Sequence, residues 1–333
     1  MMRISLLFIC IAFVVQPFLG KAGQVADSVY TINDTLEYVY SKPKPWNWVM
    51  SFPRDYADFG KLVWRKESIP VIAGVAATTA LFWVFDQQIV DNVQHFSNSI
   101  NVPGTTQKTK LIDWSVKMKN SSVALPLLVP QDWNSSFYFL GDGSVHIAIA
   151  SGFWIYGLAA NDYRSRSTAS QLAEAMLTVG FATQLLKHIT GRECPFTETA
   201  PRGVWRFFPN QTDYSQHVPH YDAYPSGHLA TAMATVTIIA DNYPEKRYIR
   251  PVGYSLMALL GYSMLNNGVH WLSDYPLGIA LGYGFAKVIT NRNRAAVSHV
   301  LPNGHSSILK KMHPMVLPDF GGDNTGLRIL CSF

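Results

Sequence analysis

Six apolar segments, at about 70–86, 143–160, 168–188, 227–241, 251–267 and 275–290, constrain what this chain can fold into more than any other feature. They are rich in Ala, Leu, Met and Gly and show few strand-like alternations. That pattern predicts an all-α fold, a helical bundle of about six core helices. Pro70, Pro251 and Pro276 stand near three of the starts, where a residue without an N–H is tolerated. Five of the six are about 15–18 residues long, short of the roughly 20 apolar residues that cross a bilayer, and the longer 168–188 is interrupted by polar residues. His146, Gln171, Glu174 and Lys287 also fall inside them. Bilayer span and soluble core are therefore both open.

Composition does not choose between the two. The 333 residues are 48% apolar and only 15% charged, against about 25% charged in an average domain. Mean hydropathy is nevertheless only +0.07. Such a chain is too apolar to be disordered. Its net charge of +5 is spread without a basic block, so no nucleic-acid partner is expected.

The N-terminus reads MMRISLLFICIAFVVQPFLGKAG: one Arg, an apolar run from Ile4 to Val15, then small residues and a proline. This is the pattern of a signal peptide over residues 1–22. It predicts export to the cell envelope, either periplasmic or membrane-associated. Residues 23–69 form a Trp- and Pro-rich lead-in, 70–292 the bundle and 293–333 a C-terminal tail, whose TGLRILCSF end suits one strand. The stretch 87–140 reads as polar and irregular, and 192–225 as a long Pro-, Phe- and Tyr-rich loop. Arg164, Arg166, Lys246, Arg247, Arg250, Lys287, Arg292 and Arg294 lie on links that the positive-inside rule would place in the cytoplasm. Six crossings then disagree with a signal peptide by one. Cys194 and Cys331, the cysteines beyond the leader, are either a pair or two free thiols.

Three short stretches carry the chemistry: KHITGRECP (Lys187–Pro195), YPSGH (Tyr224–His228) and NGVHWLSD (Asn267–Asp274). Each lies where an apolar segment begins or ends. Ser226 and Gly227 fall at a helix N-terminus, where free N–H groups and the dipole favour an anion. Lys187 adds positive charge. His270 and Asp274 are four apart and face one side of a helical turn. Asp274 is expected to accept from one imidazole nitrogen, leaving the other free to attack. His228 is placed to protonate a leaving group.

In these stretches the chain resembles the type 2 phosphatidic acid phosphatase / vanadium haloperoxidase superfamily. The family pattern is Lys, six residues, Arg-Pro; then Pro-Ser-Gly-His; then Ser-Arg, five residues, His, three residues, Asp. Lys187 and Pro195 match the first part, Pro225–His228 the second, and Ser263, His270 and Asp274 the third. The resemblance implies a metal-independent phosphoric ester hydrolase without cofactor. His270 would be the nucleophile of a phospho-histidine intermediate, Asp274 its orienting partner and His228 the general acid. Lys187, Ser226 and Gly227 would hold the phosphate. Lipid phosphates are the implied substrates and the membrane the implied partner, with soluble phosphoesters open.

The pattern's two arginines fall on Cys194 and Met264. Removing one preorganised donor can cost about 10²–10³ in rate. Arg192 is the expected replacement, with Arg202, Arg206, Asn266 and Asn267 also near in sequence. A catalytically impaired relative that binds phosphate or lipid in the envelope is the alternative. Three rival readings use some of the same residues. One is a metal site with His217 and His220, one a vanadate site, and one a polar pathway through His146 and Glu174.

Overall fold

The structure is a computed structural model and describes residues 28–33, 36–44, 46–118, 121–298, 313–319 and 326–332. The expected signal peptide lies outside them. An N-terminal hairpin, β1 (Ser28–Asn33) and β2 (Leu36–Tyr40), is extended by β5 (Ala295–Ser298) into a three-stranded antiparallel sheet. Nine helices of more than one turn are described: α1 (Phe52–Val63), α2 (Ile69–Ser99), α3 (Trp133–Phe139), α4 (Gly143–Ala159), α5 (Tyr163–Thr190), α6 (Gln211–Gln216), α7 (Gly227–Asn242), α8 (Ile249–Asn266) and α9 (Tyr275–Asn293). A hairpin of β3 (Lys108–Met118) and β4 (Ser121–Pro130) lies between α2 and α3. In the tail, β6 (His313–Asp319) pairs with β7 (Gly326–Ser332). The all-α expectation holds for the bundle, with small sheets beside it.

Two boundaries differ from the sequence expectation. The polar stretch after residue 86 is not irregular: α2 continues to Ser99, and a long hairpin follows. Asp86 and Gln87 break the apolar run without breaking the helix, because their side chains bond the site loops. Helix α5 likewise starts early, where Asp162 accepts from the Arg164 amide at 2.8 Å. That short, polar N-cap satisfies one of the first turn's unpaired donors.

Helix α7 is the central element, packed against α4, α5, α8 and α9. Its Ala230, Ala234, Ile238 and Ile239 meet Phe153 of α4, Leu172 and Val179 of α5, and Phe285 and Ile289 of α9 in one core. A second core joins Val90, Leu229, Met257, Leu260, Met264, Trp271 and Tyr275. The α7–α9 contact depends on glycine. A Cβ on Gly278 would stand 2.5 Å from the Ser226 carbonyl oxygen, and one on Gly282 would stand 2.1 Å from that of Ala230. Backbone therefore meets backbone along one turn, which brings the start of α7 beside the start of α9. Gly282→Ala is expected to destabilise the fold by about 1–3 kcal/mol through overpacking, read as a lower thermal unfolding midpoint.

The polar residues inside the apolar segments are partnered. His146 Nδ1 bonds Thr235 Oγ1 at 2.9 Å, Gln171 accepts from Asn242 at 2.8 Å, and Lys287 donates to Asp241 at 2.7 Å. Glu174 takes Arg292, which also pairs with Asp55. His146 and Glu174 thus belong to separate clusters among the described residues. Large apolar side chains face outward instead. Leu81, Val84 and Phe85 on α2, Ile147, Ile155 and Leu158 on α4, Phe181 and Leu185 on α5, and Val252 on α8 are all exposed.

Candidate active site

The three motifs converge at one end of the bundle. Helix α5 delivers Lys187 and ends at Gly191, whose φ of +52° is the left-handed conformation that closes a helix, with its N–H donating a hydrogen bond to the Lys187 carbonyl. A Cβ there would also meet the Arg206 carbonyl oxygen at 2.2 Å. Ser226 caps α7 through the Leu229 amide and donates its own amide to the Asp274 carbonyl at 2.9 Å. His270 and Asp274 lie on the turn between α8 and α9.

Residues 222–226 form a strap that ties these pieces together. Asp222 accepts from Lys187 Nζ at 2.8 Å. The Ala223 carbonyl accepts from His270 Nδ1 at 2.7 Å, and the Tyr224 carbonyl accepts from Thr190 Oγ1 at 2.9 Å. Asp222 and Ala223 had no signal in the sequence: one is a single loop carboxylate and the other acts through its backbone oxygen.

The His270 geometry corrects one expectation. Its Nδ1 proton goes to the Ala223 carbonyl, with the Asp274 carboxylate behind at 3.5 Å. Either way Nδ1 is held, which leaves Nε2 with its lone pair. The His228 ring stands edge-on to His270 with centroids 5.9 Å apart, and 4.9 Å from the Tyr138 ring. Burial, then the neighbouring His270 and Lys187, and more weakly His146 and Lys108, hold the His228 imidazole well below its ordinary range. Gly227 leaves room beside Lys187: a Cβ there would stand 3.6 Å from Thr183 Oγ1 and 3.9 Å from Lys187 Nζ. Ser226 is buried, with its hydroxyl directed at Met264 Sδ, 3.7 Å away.

Arg192 is a correction of a different kind. It reaches the site but is fully buried, and both terminal nitrogens are committed. Nη2 pairs with Asp86 at 2.7 Å, while Nη1 pairs with Asp274 at 2.5 Å and donates to Ser273. Ser273 in turn donates its amide and hydroxyl to Asp86. Arg192 therefore clamps the site's own carboxylates rather than an oxyanion. Asp86, which the sequence motifs do not single out, is the first carboxylate of α2, at the end of its apolar run, and that was the available signal.

The other replacement donors are engaged as well. Arg202 lies over the Trp83 ring, and Arg206 pairs with Glu193 at 2.7 Å. Asn266 and Asn267 donate to Pro103 and Thr106 at the base of the β3–β4 hairpin. Cys194 and Met264, the two arginine positions of the pattern, are buried in the same apolar core. Cys194 is a free thiol, pushed up by burial and by the Asp222 and Asp274 carboxylates. Burial works to raise Glu193, but the Val204 and Thr199 amides and Arg206 outweigh it and hold the carboxyl at about 2. Glu193 thereby pins the loop that follows the first motif. His217 and His220 bond Asp213 and Glu193 on that loop, away from the His228–His270 pair.

All three motifs lie within residues 168–297, which match the PAP2 superfamily. This segment is similar to a PAP2 domain. Its central and flanking helices, α5 and α7–α9, are the ones that hold the convergent side chains. Over 62 residues the chain is 37% identical to a lipid A 1-phosphatase of Porphyromonas gingivalis. That stretch is 18% of this chain and 14% of the relative's own length. No solved structure matches the chain.

Proposed function

We propose that the PAP2-like domain hydrolyses a phosphomonoester or pyrophosphate of a lipid through a phospho-histidine on His270, without a metal. The catalytic unit in this reading is the bundle over 70–292. The observation that carries it is the His270 geometry: Nδ1 is anchored on Ala223 and backed by Asp274, which leaves the Nε2 lone pair free, and the His228 ring at the start of α7 stands 5.9 Å from the His270 ring. Nε2 attacks phosphorus, the bond to the ester oxygen breaks, and His228 gives that oxygen a proton. Water then attacks the phospho-histidine, His228 takes its proton, and inorganic phosphate leaves with His270 restored. Lys187, Ser226 and the Gly227 amide hold the phosphate oxygens.

The lipid part rests on two supports. The partial relative is named for a lipid phosphatase. Helix α2, with its flanking turn from Lys66 to Ser99, is long and apolar enough to cross a bilayer, and its apolar window is unburied. At about 1.5 Å per residue it reaches beyond a hydrocarbon core about 30 Å thick. We place α2 across the membrane of the cell envelope, with the outward apolar faces of α4, α5 and α8 against lipid.

The test is a phosphate-release panel of lipid phosphates in mixed micelles and soluble phosphomonoesters, with wild type and His270→Ala side by side. Release that is equal in both refutes the enzymatic reading. A second reading, a relative that binds phosphate or lipid without turnover, is favoured by the apolar Cys194 and Met264 at the arginine positions. It predicts binding of the same lipids with no release from wild type.

The depressed His228 fixes the sign of a pH dependence. The acid must be protonated, and its proton is lost early as pH rises. Activity is therefore expected to climb as pH falls from 8 towards 5. A rate profile that instead rises with pH across this range would remove His228 from the acid role.

A further inference from the structure

The charges around the proposed phosphate position are unusual for an anion site. Two buried cations, Lys187 and Arg192, stand among three carboxylates, Asp86, Asp222 and Asp274. Arg192 is consumed by Asp86 and Asp274. Lys187, the cation nearest Gly227, is taken by Asp222. Asp222 is also the one carboxylate of the three that is partly exposed, at 25%, and its other oxygen is held by the Tyr214 hydroxyl at 2.6 Å. An incoming phosphate dianion would meet Lys187 with a carboxylate already bound to it.

We propose that Asp222 is an internal competitor for the phosphate position, which occupies Lys187 in the empty site, yields it to substrate and reclaims it to expel inorganic phosphate. This rests on the phosphate-site reading above. The exchange is of ion pairs only and breaks no covalent bond. Asp222 can leave Lys187 and keep its Tyr214 bond, because the two contacts use different oxygens. The other two carboxylates cannot act this way, since both are fully buried and locked to Arg192. With the pattern's two arginines replaced by Cys194 and Met264, phosphate affinity would depend on Lys187 and backbone amides. A competing carboxylate on that lysine then sets the affinity directly.

The experiment measures binding of inorganic phosphate to the full, detergent-solubilised chain by calorimetry at pH 7. Asp222→Asn keeps the volume and an acceptor for Tyr214 but removes the charge. It is expected to bind phosphate about tenfold tighter than wild type, a change of about 1.4 kcal/mol. Asp222→Glu, which keeps the charge, is expected to stay near wild type. A merely structural Asp222 would not tighten binding when neutralised. Unchanged, weaker or undetectable binding in Asp222→Asn overturns the proposal, and Asp222→Ser serves the same test should the Asn variant fail to fold. The outcomes separate from those of the enzymatic reading. Tighter binding without His270-dependent release supports the competitor and sinks the phosphatase. His270-dependent release without tighter binding does the reverse.

Discussion

Phosphate release by His270→Ala is expected to fall by about 10⁴-fold or more, because removing the nucleophile of a coupled catalytic set costs nearly all of its rate enhancement. The structure makes this variant informative about mechanism as well as rate. His270 is buried and bonds the strap through Nδ1 at Ala223, so His270→Ala alone leaves a fold defect as a competing explanation. His270→Asn or His270→Gln offers an amide for the same carbonyl and still lacks the nucleophile. Both are expected to melt near wild type and to be equally inactive. Wild type quenched during turnover should carry phosphate that is labile to acid and stable to base, as a phosphoramidate is. Loss of that label in the His270 variants, with retained melting temperature, assigns the nucleophile. A label that persists in them sinks the assignment.

Arg192→Met is expected to lower stability by about 3–5 kcal/mol, because it leaves Asp86 and Asp274 buried without their shared cation. In a protein of this size that shift is on the order of 10 °C in melting temperature. The distinction from a phosphate clamp is direct. A clamp residue removed from an open site would weaken phosphate binding and spare the fold. Asp86→Asn in the Arg192→Met background should recover part of the loss, since one uncompensated charge disappears. The non-additivity of the two changes measures their coupling. Melting of Arg192→Met at the wild-type temperature would show that the Asp86–Arg192–Asp274 cluster contributes nothing to the fold.

Much of this protein was legible in one dimension because its signals are local. Each motif sits at a helix end, and helix ends are marked by apolar periodicity, proline and short polar caps. Lys187, Gly227, His228, His270 and Asp274 could therefore be found by spacing and are brought together as expected. The α2 extension was missed because its polar residues, Asp86 to Gln94, look like a loop when the loops that Asp86 and Gln87 bond are unknown. The buried polar residues of the apolar segments could be counted but not explained, since Glu174 and Arg292 are 118 positions apart.

The sequence by itself determined an all-α bundle and a family pattern with two vacated arginine positions. Both follow from short-range rules: helical period, N-caps and residue spacing. Only the tertiary structure decided what fills the vacancies. An arginine two residues from the expected position looks like a replacement until Asp86, 106 positions away in the chain, is seen to hold it. The same is true of Asp222, which is an ordinary loop residue until the strap lays it against Lys187. Charge pairing across such separations depends on how the helices pack, and the α7–α9 glycine contact that sets this packing is itself a matter of close approach in space.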